Sequence, residues 1–362
     1  MSIRLQSLAL LVLGVLVQNS AAYFRMSCSR MRIGRIDPVV NFGKVSPHVH
    51  KISGASNISP NSTFQTLQTA NCTSCEIQAD KSAYWTPTLY YQYPNSSLQE
   101  VPNGGMTVYY LGRGDNKSAI VPFPPGFRMV SGDKTLRSYH TTPVTYKQNR
   151  PIADRVSFAC LDRQPQPETP LMTNTNCING LRAQIQFQSC WDGRSLYKAD
   201  NSHVAYMSGI DNGVCPPTHP VPLIHLFFEV LYGVTDVKQQ PGGRFVFSQG
   251  DASGAGFHGD FLNGWDEGVL KAAIEGGCAN VNDNTIGSCA PLLKSRVENL
   301  EQNCPMLPDD EKVGGLIAKL PGCATVSTGP DAVPDLGCPG EGAPGNGTRK
   351  VKVRRGKVSA WE

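Results

Sequence analysis

The sequence has few charged residues and no long apolar segment beyond its first residues. Lys, Arg, Asp and Glu make up 17% of the 362 residues and the formal net charge is +4, so no extended basic surface for nucleic acid is expected. No later segment is long and apolar enough to span a membrane, and the polar, basic C-terminus lacks the hydrophobic tail of a glycosylphosphatidylinositol anchor. A G-x-S-x-G motif is also lacking, which disfavours a serine hydrolase.

The first residues indicate export. Arg4 precedes an apolar run over residues 8–17, and Ser20, Ala21 and Ala22 follow, which predicts a signal peptide over residues 1–22. The twelve cysteines are an even number, as in the disulfide frameworks of secreted proteins. We therefore expect a secreted, extracellular protein, with association with the cell wall left open. Glycosylation sequons occur at Asn57, Asn61, Asn71, Asn95, Asn116 and Asn346.

The composition favours a mainly β fold. There are 36 Gly and 27 Pro, and short apolar or alternating runs lie between turn signals, typical of a jelly-roll or sandwich-like single domain with long disulfide-pinned loops. The clearest strands are predicted over residues 107–111, 127–130, 156–160, 181–187, 204–207, 224–232 and 244–247. A helix is predicted over residues 266–276, because acidic residues fill its first turn and a glycine pair follows it.

The cysteines suggest a boundary near residue 279. Eight of them precede it, at positions 28, 72, 75, 160, 177, 190, 215 and 278, and four follow, at positions 289, 304, 323 and 338. Both counts are even, so each part is able to pair internally. The predicted organisation is a main β domain over 23–278, a small Cys-containing appendage over 279–338 and a disordered basic tail over 339–362.

Several short motifs together carry a family resemblance. They are Cys28 and the segments 35–40 (RIDPVV), 46–50 (SPHVH), 73–75 (TSC), 79–85 (ADKSAYW), 126–133 (GFRMVSGD), 180–182 (GLR), 189–193 (SCWDG), 202–206 (SHVAY), 215–220 (CPPTHP) and 256–261 (GFHGDF). Over roughly residues 26–280 the chain resembles the fungal secreted domain-of-unknown-function family that occurs alone or fused to wall-binding WSC modules. The resemblance implies a fungal secreted origin. No WSC module follows here, and the family brings no established activity.

Histidines and aspartates with i, i+2 spacing are the first candidates for chemistry. On a strand, His48 and His50 share a face, and His258 and Asp260 repeat the spacing. Such a set suits a divalent metal ion such as Zn²⁺ or Mn²⁺, or a proton relay. The alternative is that residues 47–50 form a turn in which the imidazoles bond to backbone carbonyls.

A polar strand face is a candidate for substrate binding. Arg182, Gln184 and Gln186 alternate with apolar residues, and their donors match the hydroxyl and carboxylate groups of a glycan. An outer solvated face is the alternative. Glu229, on an apolar strand, is a candidate general acid if burial raises its pKa, although Arg182 or Arg244 as a structural partner would explain it equally well.

Three tryptophans lie inside the motifs, beside polar residues. Trp85, Trp191 and Trp265 are predicted to stack on sugar rings, with Lys81 and Tyr206 as further binding residues; the alternative is that the tryptophans fill the core. His203 and Asp192 complete the predicted catalytic set with His258, Asp260 and Glu229. The pair Cys72 and Cys75 is interpreted as structural disulfides.

These features predict one polar site built from distant loops. The leading hypothesis is a secreted fungal protein that binds an extracellular or cell-wall polysaccharide, either without cleaving it or as a hydrolase or lyase. The rival is a non-catalytic wall or adhesion protein whose polar motifs are structural. The sequence does not decide between them, and the first requires His50, His203 and His258 to meet around a common cavity.

Overall fold

The computed structural model describes residues 23–115, 119–280, 286–287, 289–309, 311–333 and 338. The predicted signal peptide over 1–22, the sequons at Asn116 and Asn346 and the predicted tail over 339–362 lie outside these residues. Strands dominate and almost all pair antiparallel, so the predicted mainly β fold of sandwich type is confirmed. Within the described residues, no helix has the length and apolar content to cross a bilayer.

Seventeen strands and four short helices follow one another along the described chain. The strands are β1 (Tyr23–Ser29), β2 (Arg32–Gly34), β3 (His50–Gly54), β4 (Ala83–Pro87), β5 (Leu89–Gln92), β6 (Leu98–Glu100), β7 (Gly105–Leu111), β8 (Arg128–Gly132), β9 (Val156–Cys160), β10 (Leu181–Gln186), β11 (Cys190–Trp191), β12 (Val204–Ala205), β13 (Val221–Pro222), β14 (His225–Tyr232), β15 (Arg244–Phe247), β16 (His258–Leu262) and β17 (Leu316–Ile317). The α-helices are α1 (Phe64–Gln68), α2 (Glu267–Glu275), α3 (Ala290–Leu293) and α4 (Leu300–Asn303), and 3-10 turns cover Ile152–Arg155, Val234–Asp236 and Cys278–Asn280.

Helix α2 lies within the predicted helical segment. The Asp266 carboxylate accepts a hydrogen bond from the Val269 amide at the first turn, and Gly276 ends the helix, as expected for an N-cap acid and a terminal glycine.

Two five-stranded antiparallel sheets form the sandwich. One has the order β1-β7-β14-β10-β9 and is called the β14 sheet; the other has the order β2-β3-β4-β16-β8 and is called the β16 sheet. Tyr84 of β4 packs edge-on against Phe228 of β14, with ring centroids 5.6 Å apart. A Cβ on Gly259 of β16 would lie 3.0–3.2 Å from Phe187, Ile185 and Phe228. The main core therefore lies between these sheets.

Alternation along the strands sends the polar residues to the outer faces. Gly259 faces the core, so His258 and Asp260 face the opposite side of the β16 sheet. On β10 the apolar residues belong to the same core, which turns Arg182 and Gln184 to the outer side of the β14 sheet. The two groups of predicted site residues thus lie on opposite faces of the sandwich.

A long segment covers the outer face of the β16 sheet. Ile36, Val39 and Leu67, which precede or belong to α1, pack with Trp85 and Leu262 in a second apolar cluster. Because of this cover, all five residues of β3, β4 and β16 are buried. Polar side chains on this face are consequently shielded from bulk water.

Six disulfides cross-link the described chain. They do not all pair within the two groups of cysteines that precede and follow residue 279. Two of them join the predicted main domain to the predicted appendage. The pairs are Cys28–Cys75, Cys72–Cys304, Cys160–Cys177, Cys190–Cys215, Cys278–Cys289 and Cys323–Cys338. An even count permits internal pairing without requiring it, because tertiary proximity decides which sulfurs meet.

Residues 289–333 also pack directly behind the His48–His50 segment. Val313 forms a buried cluster with Ile33 and Val49, and β17 pairs with β6. Gly322 has a φ of +81°, and a Cβ there would lie 1.5 Å from the carbonyl oxygen of Pro47. The C-terminal segment therefore helps to hold the loop that carries His48.

Candidate functional site

Three histidines meet on the outer face of the β16 sheet. His50 begins β3, His258 begins β16, and β4 runs between these strands. The ring centroid of His48 lies 4.3 Å from that of His50 and 5.1 Å from that of His258. The centroids of His50 and His258 are 5.8 Å apart. One nitrogen of each ring lies within 4.8 Å of the other two. Pairing of distant strands thus joins residues more than 200 positions apart in the chain.

Backbone carbonyls orient two of these rings. Nδ1 of His50 donates to the Ile36 carbonyl at 3.0 Å, and Nδ1 of His258 donates to the Gly256 carbonyl at 2.9 Å. With Nδ1 protonated, Nε2 of each neutral ring carries a lone pair. Nε2 of His258 lies 3.0 Å from Nε2 of His48. The sequence offered hydrogen bonds to backbone carbonyls as an alternative to a histidine cluster. In this fold those bonds instead orient the Nε2 atoms of His50 and His258 towards the cluster.

Burial disfavours a charge on His50. The pKa of His50 is lowered well below its usual value, first by burial and then by the charges that His48 and His258 would carry. The ring is fully buried, and its Nε2 has no hydrogen-bond partner among the described residues. A buried polar atom of this kind normally has a partner.

Two buried carboxyl groups flank the histidines. Asp37 accepts hydrogen bonds through Oδ1 from the amides of Val39 (3.1 Å) and Val40 (2.9 Å). Burial raises its pKa, while those amides and the charge of His48 oppose the rise. The pKa of Asp260 is raised well above its usual value by burial and by the charge of Asp37, and Asp260 Oδ2 has no hydrogen-bond partner in the described part of the chain.

A cavity of about 320 Å³ opens onto this group. We call it the His–Asp pocket. His48, His258, Asp37 and Asp260 belong to its lining and are buried. The more exposed lining residues include Asp133, Lys134, Tyr197, Asp200 and Asn201. The pocket therefore combines titratable groups in its depth with charged, amide and aromatic side chains nearer to solvent.

His203 and Asp192 lie beside the pocket rather than in its lining. Nε2 of His203 bonds to the Arg128 carbonyl at 2.9 Å, and its ring centroid is 5.9 Å from that of Tyr197. Asp192 accepts from the amides of Arg194 (2.9 Å) and Ser195 (2.8 Å), which shapes a turn. His203 therefore contacts Tyr197, which lines the cavity, without lining it itself. Asp192 orders a turn.

The predicted Arg–Gln row forms a separate polar surface on the β14 sheet. Arg182 Nη1 lies 3.3 Å from Glu229 Oε1, and Gln184 Nε2 donates to Ser157 Oγ at 2.7 Å. The Tyr109 hydroxyl donates to Glu229 Oε2 at 2.5 Å. Glu229 has the structural partner Arg182 that the sequence offered as one alternative. It lies on the opposite face from His258.

Gln186 is hydrogen-bonded to a buried histidine beneath the same surface. Its Oε1 accepts from Nε2 of the buried His225 at 2.6 Å. This bond orients an interior ring, and it directs the amide oxygen of Gln186 away from solvent.

Two of the tryptophans are core residues, which corrects the expectation that they stack on sugars. Trp85 and Trp265 are 0% and 1% exposed, and Trp265 Nε1 donates to the Tyr110 hydroxyl at 2.8 Å. Their large apolar area favours burial. Trp191 is half-buried, and its Nε1 donates to the Ser195 carbonyl at 2.8 Å. Lys81 donates to the Gln68 carbonyl at 2.9 Å, away from the pocket lining.

Tyr206 belongs to a second cavity next to the first. This cavity, of about 520 Å³, is lined by Tyr206 and by Tyr146, and it shares Asp200 and Asn201 with the His–Asp pocket. The Tyr206 hydroxyl lies 2.8 Å from Ser131 Oγ. Residues 200–201 therefore separate two adjoining depressions.

Sequence reasoning did not select most of the residues that line the pocket, Asp200 among them, as site residues. Asp37 lies in the 35–40 motif and Asp133 in the 126–133 motif, so only their motif membership marked them. Lys134, Tyr197 and Asn201 have no local signal, because exposed residues of these types are common in loops.

Residues 37–265 match the family model described as Domain of unknown function (DUF1996). The match covers more than half of the 362 residues. The chain belongs to this family. The family region begins at Asp37 and ends at Trp265, so His48, His50 and His258 lie within it, whereas Val313 and Gly322 lie beyond it. No curated protein and no solved structure matches the chain.

Gly132→Ala is expected to displace His258. Gly132 has a φ of +95°, and a Cβ there would lie 2.5 Å from the Phe257 carbonyl oxygen and 2.6 Å from His258 Cα. Backbone strain and overpacking together should cost about 2–5 kcal/mol of unfolding free energy. Urea denaturation measures the loss. Gly126→Ala is the matched control, because its φ is also positive (+83°) but its Cβ would meet only Leu196 at 3.5 Å. Equal losses in both variants would contradict the close approach.

Proposed function

We propose that this chain is a secreted fungal protein that binds an extracellular or cell-wall polysaccharide in the His–Asp pocket. Export is supported by the predicted signal peptide and by six disulfides, a density typical of oxidising compartments. Three sequon asparagines, Asn61, Asn71 and Asn95, are exposed, as glycan attachment requires.

The observation that carries the proposal is the make-up of the pocket. Asp133, Asp200 and Asn201 offer oxygen and amide groups that suit sugar hydroxyls, and Tyr197 offers an aromatic ring. The Arg128 guanidinium lies 4.5 Å from the Tyr197 ring centroid, which holds the ring in place. The volume of about 320 Å³ is at the lower end for ligand pockets and suits one small polar unit.

The adjoining cavity extends this site in one direction. A polymer needs binding positions for successive units, and the two cavities meet at Asp200 and Asn201. Tyr146, 39% exposed, and Tyr206 lie in the second cavity. A chain with one unit in each cavity would pass over residues 200–201.

The depth of the pocket suggests that the bound chain is also cleaved. Imidazole and carboxyl groups are the usual general acids and bases of hydrolases and lyases, and His258 and Asp260 both line the pocket. A non-catalytic wall or adhesion protein is the second candidate, because Trp85, Trp265 and Asp192 serve the fold.

A glycan panel tests the proposal. The secreted protein is titrated with soluble wall and plant polysaccharides, and binding is followed by calorimetry and cleavage by reducing-end release. Tyr197→Ala and Asp200→Ala are expected to weaken binding about 10-fold or more, because each removes a contact worth roughly 1–2 kcal/mol. Cleavage in the same samples separates the catalytic from the non-catalytic candidate.

Arg182→Ala is the control, because Arg182 lies on the opposite face of the sandwich. Its binding should equal that of the unmodified protein. If Arg182→Ala weakens binding while Tyr197→Ala does not, the β14 sheet carries the glycan. If no glycan binds, the proposal fails.

A further inference from the structure

We propose that His48, His50 and His258 form a binding site for a divalent transition-metal ion, with Zn²⁺ as its first candidate. The proposal does not depend on glycan binding. It goes beyond the spacing of His48 and His50 because the third ligand, His258, is supplied by the pairing of β4 and β16.

The donor set determines the class of ion. Three neutral imidazoles suit Zn²⁺, Cu²⁺ and related ions, whereas Ca²⁺ and Mg²⁺ prefer oxygen ligands. The three nitrogens lie within 4.8 Å of one another. Zn–N bonds of 2.0–2.1 Å in tetrahedral geometry place nitrogens about 3.3 Å apart. A small closing movement of the rings would therefore complete the site.

His50 supplies an independent indication of a ligand. Its Nε2 is fully buried and has no hydrogen-bond partner among the described residues. Leaving such an atom without a partner destabilises the folded chain. A cation at the cluster would be that partner, because Nδ1 is already committed to the Ile36 carbonyl.

The surroundings of the cluster resemble the outer shell of known metal sites. Ligating histidines usually donate their other ring N–H to a carbonyl or carboxylate, which fixes the tautomer. His50 and His258 both do so, to the carbonyls of Ile36 and Gly256. Asp37 lies close enough to His48 for the two charges to interact.

His48 is the ring that must change on metal binding. In the metal-free cluster the 3.0 Å contact between the Nε2 atoms of His48 and His258 requires one proton, held by His48, because His258 carries its proton on Nδ1. On binding, that proton leaves Nε2 of His48 for solvent, and the freed lone pair binds the ion.

The cluster opens onto the His–Asp pocket. His48 and His258 line the His–Asp pocket, whereas His50 is enclosed behind them. An ion held by these nitrogens would keep a coordination position towards the pocket, as catalytic three-ligand zinc sites do. Water or an oxygen of a bound molecule is the ligand expected there.

Metal analysis of the full secreted chain tests the site without any substrate. After dialysis against Zn²⁺ and then against metal-free buffer, about one ion per chain should remain. Co²⁺ in place of Zn²⁺ should give the intense visible absorption of a four- or five-coordinate nitrogen site. His258→Gln and His48→Gln should weaken Zn²⁺ binding by at least about 100-fold, since even outer-shell changes cost 10–100-fold.

His140→Gln is the matched control, because His140 is exposed and pairs with Asp331 on the surface. It should retain the ion. The Co²⁺ spectrum of the unmodified chain keeps the proposal testable if a cluster variant fails to fold. The proposal is overturned if the unmodified chain retains no Zn²⁺ and gives no such Co²⁺ spectrum, or if folded His48 and His258 variants bind Zn²⁺ as tightly as the control. If the chain binds glycan but retains no Zn²⁺ and gives no such Co²⁺ spectrum, the metal site fails while the proposed function stands.

Discussion

A chain that ends at residue 278 is expected not to fold. Truncation there removes the partners of Cys72 and Cys278. It also removes Val313, which packs on Ile33 and Val49, and Ile317, which shares a buried cluster with Tyr90. The predicted appendage thus completes the domain that carries the site.

The magnitudes support this expectation. Each large apolar side chain that loses its cover loses roughly 1.5–3 kcal/mol, and a native disulfide typically contributes 2–5 kcal/mol. Two disulfides and several such side chains are affected. Their sum is comparable to the whole stability of a domain, about 5–15 kcal/mol.

Secretion yield and circular dichroism of the truncated chain measure the outcome. A chain that ends at residue 338 is the control, because it keeps all twelve cysteines, and it should be secreted and folded. A secreted 1–278 chain with a cooperative thermal transition would show that residues 279–338 are a separate appendage after all.

Acid is expected to destabilise the protein strongly through His225. This ring is fully buried, with Nδ1 2.5 Å from Ser189 Oγ and Nε2 donating to Gln186 Oε1 at 2.6 Å. Burial, and then the charge of Arg113, lowers its pKa from 6.5 to about 3. The unfolded chain therefore binds a proton below pH 6.5 that the folded chain does not bind until about pH 3.

The sign and size follow from this difference. The stabilising contribution of neutral His225 is fully present above pH 6.5 and is lost as the pH falls towards 3. Over that window the loss amounts to about 5 kcal/mol, at 1.4 kcal/mol per pH unit for each proton.

Urea denaturation at several pH values from 7 to 4 measures the effect. His225→Gln should be less stable than the unmodified chain at pH 7, because it repacks a buried hydrogen-bonded position. Its unfolding free energy should, however, fall less steeply as the pH is lowered. The difference in slope should correspond to about one proton, or about 1.4 kcal/mol per pH unit. His219→Gln, a change at a half-buried surface histidine, is the control for the loss of an imidazole elsewhere in the chain. If the unfolding free energy of His225→Gln falls with pH as steeply as that of the unmodified chain, His225 does not titrate in this way.

Strand β10 was predicted from its alternating sequence, whereas the strands that carry the site were not predicted. Residues 181–187 alternate apolar and polar side chains, and β10 (Leu181–Gln186) forms there, with Arg182 and Gln186 half-buried and Gln184 buried. The strands that carry the site, β3 and β16, are buried at every residue. Without an exposed face there is no period of two in the sequence.

The residue types alone indicated part of the candidate site. The i, i+2 spacing of His258 and Asp260 fits the outer face of β16 on which both lie, whereas His48 precedes β3 and approaches His50 from a loop. It did not separate these residues from the Arg182 row, because both sets have the side chains that a polar cleft uses. Only the packing of the two sheets places them on opposite sides of the molecule.

The sequence by itself determined that the fold is mainly β, that the cysteines form disulfides and which family the chain belongs to. These follow from local composition, cysteine number and ordered motifs. The tertiary structure decided that His258 joins His48 and His50, that Trp85 and Trp265 enter the core, and that Cys72 pairs with Cys304 across the predicted boundary. Each of these depends on which distant segments pack together, and no local pattern encodes that choice.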